Sequence, residues 1–352
     1  MTLFTHPEFD HHEQVQFCED ARSGLRAIIA IHDTTLGAAV GGCRMYNYAD
    51  EQAALSDVLR LSRGMTYKSA LAGLPMGGGK SVIIADPAHD KSPQLLLAMA
   101  ESIDRLGGRY IAAEDSGTSV ADMKIMAQRT AWVSGINDKG KHGGDPSPTT
   151  AYGVYVAIQA AVRHRLGERN LNGIAVAIQG LGNVGYHLAS YLMEAGAEVF
   201  GADLNVANVE RAVSELGITA VPVEEILCLR VDVLAPCAMG AVLDDLNISQ
   251  LQAGIVAGAA NNQLAHPHHA QDLRDRGILY CPDFLINAGG IIDVHFQRQG
   301  EAGDKLRRRV ERIGDHLGEI LARAERQGLD THSVAESVAE EILTAASLQK
   351  AG

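Results

Sequence analysis

The sequence predicts an α/β protein of two domains, the second built on a doubly wound parallel sheet. Three observations support this reading. A chain of 352 residues exceeds what one ordinary core encloses. Short apolar runs alternate with amphipathic stretches throughout, and the C-terminal half repeats the strand–helix–strand order that a parallel sheet requires.

In the first third, the apolar run 26–32 reads as a buried strand. Ala54, Leu55, Val58, Leu59 and Leu61 then recur at helical spacing within 51–71. The run 81–85 reads as a strand stopped by Asp86 and Pro87. A helix over about 92–106 follows, then a break at Gly107 and Gly108, and a strand over 109–113. The polar stretch 136–150 opens an interdomain connection. Beyond it a helix is expected over 150–164, with strands at 173–179, 198–203, 231–235, 255–257 and 278–281 separated by helices. The charged tail 302–349 reads as helical and long enough to return across the first domain. The expected division is 1–135, completed by helices in 331–352, and 136–330, with a cleft between them.

Composition narrows the function classes. With 46% apolar and 21% charged residues the chain is globular in type. A net charge of −13, with no block of basic residues, disfavours nucleic acid and anionic membrane as partners. No apolar run approaches the roughly 20 residues of a spanning helix. The N-terminus is acidic and His-rich, unlike a signal peptide. Five scattered cysteines without a C-x-x-C pair indicate neither a disulfide framework nor a zinc ribbon, so a reducing cytoplasm is expected.

The segment Gly180-Leu181-Gly182-Asn183-Val184-Gly185 follows an apolar run and opens a helix containing Leu188, Ala189 and Leu192. In that context G-x-G-x-x-G is a dinucleotide turn. Gly180 permits the bend, Gly182 lets a pyrophosphate approach bare backbone, and Gly185 lets helix and sheet close up. The helix N-terminus favours the phosphates. Asp203, at the end of the next strand, can accept hydrogen bonds from ribose hydroxyls and would repel a 2′-phosphate. NAD is therefore expected over NADP.

A second glycine cluster, Gly77-Gly78-Gly79 before Lys80, imitates a phosphate-binding P-loop. Its spacing from Gly73 is wrong, and it leads into a strand where a P-loop opens a helix. What remains is a lysine at the mouth of a buried strand, kept clear of side-chain bulk. With Lys68 and the Glu114-Asp115 pair it could serve an α-amino acid: one ammonium to bind the carboxylate, the other, with a lowered pKa, as a base. Lys68 carries no such signal by itself, and from composition alone it reads as a surface lysine lying over apolar neighbours.

These segments resemble the glutamate/leucine/phenylalanine/valine dehydrogenase family, most of all its leucine-specific branch. The matching stretches are 27–37, Arg63-Gly64-Met65-Thr66-Tyr67-Lys68, Gly77-Gly78-Gly79-Lys80, Ala113-Glu114-Asp115, Pro146-Ser147-Pro148, 150–154, 258–264 and 286–290, in the family's order. The resemblance implies reversible oxidative deamination of an L-amino acid by NAD and water to a 2-oxo acid, ammonia and NADH. It implies that Lys68 binds the substrate carboxylate, Lys80 is the base that activates water, and Asp115 carries protons to and from the substrate nitrogen. Thr150, Asn262 and Asn287 would position the nicotinamide end. The first domain would bind substrate and mediate homo-oligomerisation.

The same resemblance places Gly41, Gly42, Val40, Ala113, Ile291 and Val294 around the substrate. Glutamate-specific relatives carry a lysine and a serine where this chain has Val40 and Val294, so a glutamate side chain would be buried unpaired. Leucine, isoleucine or valine is expected. Val40 and Ile291 depart from the usual leucine and valine of leucine-specific members in opposite senses of volume. An aromatic substrate, phenylalanine or tryptophan, is therefore the alternative. A non-catalytic NAD sensor on this fold would not need Lys68, Lys80 and Asp115 together. Asp293 replaces a usual asparagine. The His266-Pro267-His268-His269 segment has no cysteine or acidic cage beside it in the sequence, so exposed histidines and no metal are expected.

Overall fold

The computed structural model describes residues 3–136, 144–167, 170–238 and 240–351. The chain forms two compact units: Met1–Asp145 with Val294–Ala302 and Ala339–Gly352, and Pro146–Asp293 with Gly303–Val338. Against the division expected at residue 136, the first unit extends to Asp145. It also takes in Val294–Ala302, but of the expected C-terminal helices only the part from Ala339 onward. Most of the polar connection read from the sequence, 137–143, lies outside the described residues.

The first unit contains β1 (Gln14–Asp20), β2 (Leu25–Asp33), β3 (Ala39–Tyr46), α1 (Glu51–Leu71), β4 (Gly77–Ile84), α2 (Pro93–Asp104), β5 (Tyr110–Ala113) and α3 (Val120–Met126). The sheet order is β1-β2-β4-β3-β5. β2 pairs antiparallel with β1 and β4, whereas β3 runs parallel to β4 and β5. The continuous apolar run of β2 is explained by burial on both faces. Ala27, Ile29 and Ile31 join the core that includes Leu95, Leu96, Met99 and Ile103 of α2. Ile28 and Ala30 point the other way, packing with Ala54, Val58 and Leu59 of α1. Helix starts carry local signals: Asp50 caps α1, Ser92 caps α2 ahead of Pro93, and Ser119 with Asp122 forms a capping box on α3.

The second unit begins with α4 (Ser147–Leu166), then β6 (Ala175–Gln179), α5 (Asn183–Glu194), β7 (Glu198–Ala202), α6 (Val206–Leu216), β8 (Thr219–Ala220), β9 (Val233–Pro236), α7 (Asp245–Gln250), β10 (Ile255–Val256), α8 (His269–Asp275), β11 (Leu279–Tyr280) and α9 (Asp283–Ile286). Helices α10 (Gly289–Arg298), α11 (Asp304–Gln327) and α12 (Thr331–Ala351) follow, and the division between units passes within α10 and α12. The sheet order β11-β10-β9-β6-β7-β8 is parallel throughout. Numbered within the sheet, it is the 3-2-1-4-5-6 order of a Rossmann fold, with the strand order reversing between β6 and β9. No helix among the described residues is long and apolar enough to cross a membrane.

A histidine pair lies inside the first unit. His12 Nε2 contacts Leu59 O at 3.1 Å and Ser62 Oγ at 3.0 Å, and its ring meets His32 edge-on at 4.8 Å. Burial, with the neighbouring His32, pushes His12 from 6.5 down to about 4. A folded-state pKa below the unfolded one favours the neutral ring. The stability this confers is therefore complete above about pH 6.5 and is lost as pH falls toward 4. Denaturant titrations should show a decrease of about 2 kcal/mol from this residue between pH 7 and pH 5. His12→Gln should flatten that dependence; an equally steep loss in the variant would remove His12 as its source.

Candidate active site

The geometry around Lys80 is set by how closely three backbone segments approach. A Cβ on Gly78 would lie 2.1 Å from Thr66 N, so α1 rests directly on β4 there. A Cβ on Gly41 would lie 1.7 Å from Gly79 O, and one on Gly42 would lie 2.4 Å from Asp115 Oδ2. These glycines are required by close approach, not by an unusual backbone angle. The glycine run is also part of the strand itself. Lys80 therefore sits within β4 opposite Ala30, not at the strand mouth as the sequence suggested. Lys68 is buried in the last turn of α1, two residues past the Thr66 contact. Lys80 lies two residues past Gly78, so the contact fixes the register of both lysines.

Lys80 donates to Asp115 Oδ2. Arg44 Nε stands 3.6 Å from the other carboxylate oxygen, while Arg44 Nη1 donates to Asp57 at 2.8 Å and Tyr48 donates to the same Asp57 oxygen at 2.6 Å. Burial alone would raise Asp115, but the Lys80 ammonium and Arg44 guanidinium outweigh it and hold the carboxyl well below its ordinary range. The turn after β5 holds it too: Ser116 N donates to Asp115 Oδ1 at 2.6 Å and Asp115 N to Thr118 Oγ1 at 3.0 Å. Adjacent Glu114 goes the opposite way. Burial, then the nearby Asp145 carboxylate, pushes it up to about 7. Tyr110, fully buried, donates to Gly41 O at 2.9 Å and braces the glycine segment of β3.

Of the residues expected around a substrate side chain, Val40, Ala113 and Val294 are buried in the first unit with Gly41 and Gly42. Ile291 is buried in the second. Arg44 and Asp57 had not been singled out from sequence, and Glu114 had been named only as the neighbour of Asp115. Arg44 and Asp57 pair through tertiary packing across 13 residues, which no local pattern reveals. Glu114 stands beside Asp115, but its perturbation comes from burial.

In the second unit, Gly180 adopts φ +97°, and a Cβ there would lie 2.7 Å from Ala238 N, just beyond β9. The turn is therefore at the switch point between β6 and β9. A Cβ on Gly185 would strike Gly180 O at 2.0 Å, whereas one on Gly182 would meet nothing within 4 Å. Gly182 is the N-cap of α5 and offers no side-chain cap, leaving first-turn N–H groups for a ligand. Asp203 Oδ2 accepts from Leu181 N at 2.6 Å and Oδ1 from Asn205 N at 2.7 Å, fixing the carboxylate beside the turn. Leu181 is buried in the core, and Asn183 and Val184 begin α5.

Asn287 Nδ2 donates to Ala259 O at 3.0 Å and Asn261 Oδ1 at 2.9 Å, while its own Oδ1 is buried with no hydrogen-bond partner. Such an orphaned acceptor, with the open Gly182 and the uncapped helix, fits a dinucleotide. Asn262 holds φ +53° in the loop leading to Leu264, and Thr150 Oγ1 donates to Pro146 O at 3.0 Å. Asp293 accepts from Thr149 at 2.6 Å, joining α10 to the first turn of α4. The histidine segment differs from expectation: His269 is buried, and Asp245 and Asp272 come within reach of it and His268.

Arg44 is the counter-charge of two carboxylates, and a guanidinium spans them where an ammonium reaches one. Arg44→Met should cost about 3–5 kcal/mol of stability and raise the Asp115 pKa, moving the acid limb of the pH–rate profile upward. Arg44→Lys should recover part of the stability. An unmoved acid limb in folded Arg44→Met would contradict this role.

Residues 12–132 match the family model described as Glu/Leu/Phe/Val dehydrogenase, dimerisation domain. Residues 144–203 and 202–348 match the model described as Glutamate/Leucine/Phenylalanine/Valine dehydrogenase. The chain is 48% identical over 341 residues to a leucine dehydrogenase of Geobacillus stearothermophilus, covering 97% of this chain and 93% of the relative. It is 46% identical over 343 residues to a valine dehydrogenase of Streptomyces virginiae, covering 97% and 96%. The crystal structure of L-tryptophan dehydrogenase from Nostoc punctiforme superposes with a TM-score of 0.79 at 43% identity, covering 96% of this chain and 97% of that one. With matches over nearly its whole length, the chain belongs to the glutamate/leucine/phenylalanine/valine dehydrogenase family.

Proposed function

We propose that this enzyme catalyses the reversible, NAD-dependent oxidative deamination of a branched-chain aliphatic L-amino acid, leucine first, then isoleucine and valine. The observation that carries the proposal is the Lys80–Asp115–Arg44 cluster on a glycine-lined strand, with Lys68 buried in the helix that rests on that strand. The similarity to leucine and valine dehydrogenases supports the substrate class. Val40, Ala113, Ile291 and Val294 offer no charge to a glutamate side chain.

In this reading Lys68 binds the substrate carboxylate and so orients the α-carbon. Asp115, held ionised, accepts a proton from the substrate nitrogen. Bound NAD supplies a hydride acceptor at the nicotinamide ring. Loss of hydride from the α-carbon would leave an iminium ion, and Lys80 would act as the base that activates the water attacking it. Addition of that water and expulsion of ammonia yield the 2-oxo acid. Gly180, Gly182 and the α5 N-terminus would hold the pyrophosphate, Asp203 the adenosine ribose, and Thr150, Asn262 and Asn287 the nicotinamide end. The first unit would also form the homo-oligomer contact, in keeping with the dimerisation-domain match. The anionic chain would work in the cytoplasm without nucleic-acid or membrane partners.

An aromatic preference is the second reading, favoured by the similarity to the tryptophan dehydrogenase structure. Reduction of NAD with a panel of L-amino acids separates the two: the highest kcat/KM is expected for leucine, and a maximum for tryptophan or phenylalanine would reverse the assignment. Lys80→Ala should lower kcat by roughly 10²–10⁴-fold with NAD binding retained; near-normal turnover would remove Lys80 from the chemistry. Asp203→Ala should narrow the preference for NAD over NADP, and an unaltered ratio would count against the ribose contact.

A further inference from the structure

Away from the residues assigned to substrate and dinucleotide, four side chains of the second unit converge on one surface point. The ligand atoms of Asp245, His268, His269 and Asp272 all lie within 4.8 Å of one another. His268 and Asp272 are four residues apart, one turn of α8, with Nε2 and Oδ2 4.0 Å apart. Asp245 comes from the first turn of α7. Asp244, the cap of that helix, accepts from Asn247 N, and this leaves the Asp245 carboxylate 90% exposed and turned outward.

The imidazoles have different roles. His269 Nδ1 accepts from His266 N at 3.0 Å, so its proton is on Nε2, which donates to Asp245 Oδ1 at 3.1 Å. A buried ring fixed in that tautomer orients the carboxylate but has no free lone pair for an ion. His268 is 62% exposed, and its ring is stacked against His266 at 5.6 Å.

We propose that Asp245, His268 and Asp272 form a binding site for a divalent transition-metal ion of the zinc type, with His269 orienting Asp245 from the outer shell. One imidazole and two carboxylates form a borderline donor set, which suits Zn²⁺ better than Mg²⁺. Ligands at about 2.0–2.2 Å from a tetrahedral ion lie ~3.4 Å apart, against the 4.0 Å between His268 Nε2 and Asp272 Oδ2 here. Water would complete the coordination on the exposed side. An ion there bridges the starts of α7 and α8 and flanks the Leu243–Leu264 bridge that ends the loop bearing Asn262.

Calorimetric titration of ZnCl₂ into the whole enzyme, after chelator treatment and in a non-coordinating buffer, tests the site. The wild type should show a site that weakens at least tenfold in both His268→Ala and Asp272→Asn. These exposed substitutions should leave fold and metal-free turnover intact. MgCl₂ should give no comparable heat, and Zn²⁺ should raise the melting temperature of the wild type but not of His268→Ala. A wild type that takes up no Zn²⁺, or variants that titrate as it does, would overturn the proposal.

Discussion

The first unit depends on one packing constraint: backbone must meet backbone at Gly41 and Gly78, and at Gly79 the Tyr110 ring takes the space of a side chain. A helix can rest directly on a strand only where no Cβ intervenes, and two neighbouring strands carry that gap in register. The closeness of α1 to β4 is what buries Lys68, and the absence of a side chain at Gly42 is what leaves room for the Asp115 carboxylate. A single methyl group would press on Asp115 at Gly42, on Thr66 of α1 at Gly78, on the Gly79 carbonyl at Gly41 and on the Tyr110 ring at Gly79. The glycines thus act on the chemistry through volume.

Charge is arranged to match. In a poorly solvated site, Asp115 is kept ionised by two cations while Glu114, one residue away, is driven toward its neutral form. Separating neighbouring carboxylates in this way lets one segment present both an acceptor and a group that titrates near neutrality. Arg44 makes this possible, and it is itself tied to Asp57 and, through that carboxylate, to Tyr48.

Much of this was legible in the sequence, and the exceptions have physical causes. Strands covered on both faces, β2 and β6, announce themselves as continuous apolar runs. β1, QVQFCED, pairs on one side only and looks polar, and β3, AVGGCRMY, is interrupted by the glycines and arginine that build the site. The dinucleotide turn is local and was readable; the orphaned Oδ1 of Asn287 depends on contacts with Ala259 and Asn261 and was not. Burial of His269 likewise arises from packing between α7 and α8, and its acidic neighbour Asp245 lies 24 residues away in sequence.

Asn262 is one of two non-glycine residues among those described with a left-handed backbone. Asparagine tolerates that region better than other side chains, yet glycine occupies it without steric cost. Conformational stability alone would therefore favour glycine at 262, whereas any hydrogen-bonding duty of the carboxamide requires asparagine. If the carboxamide has that duty, the folding optimum and the functional optimum call for different residues at this position.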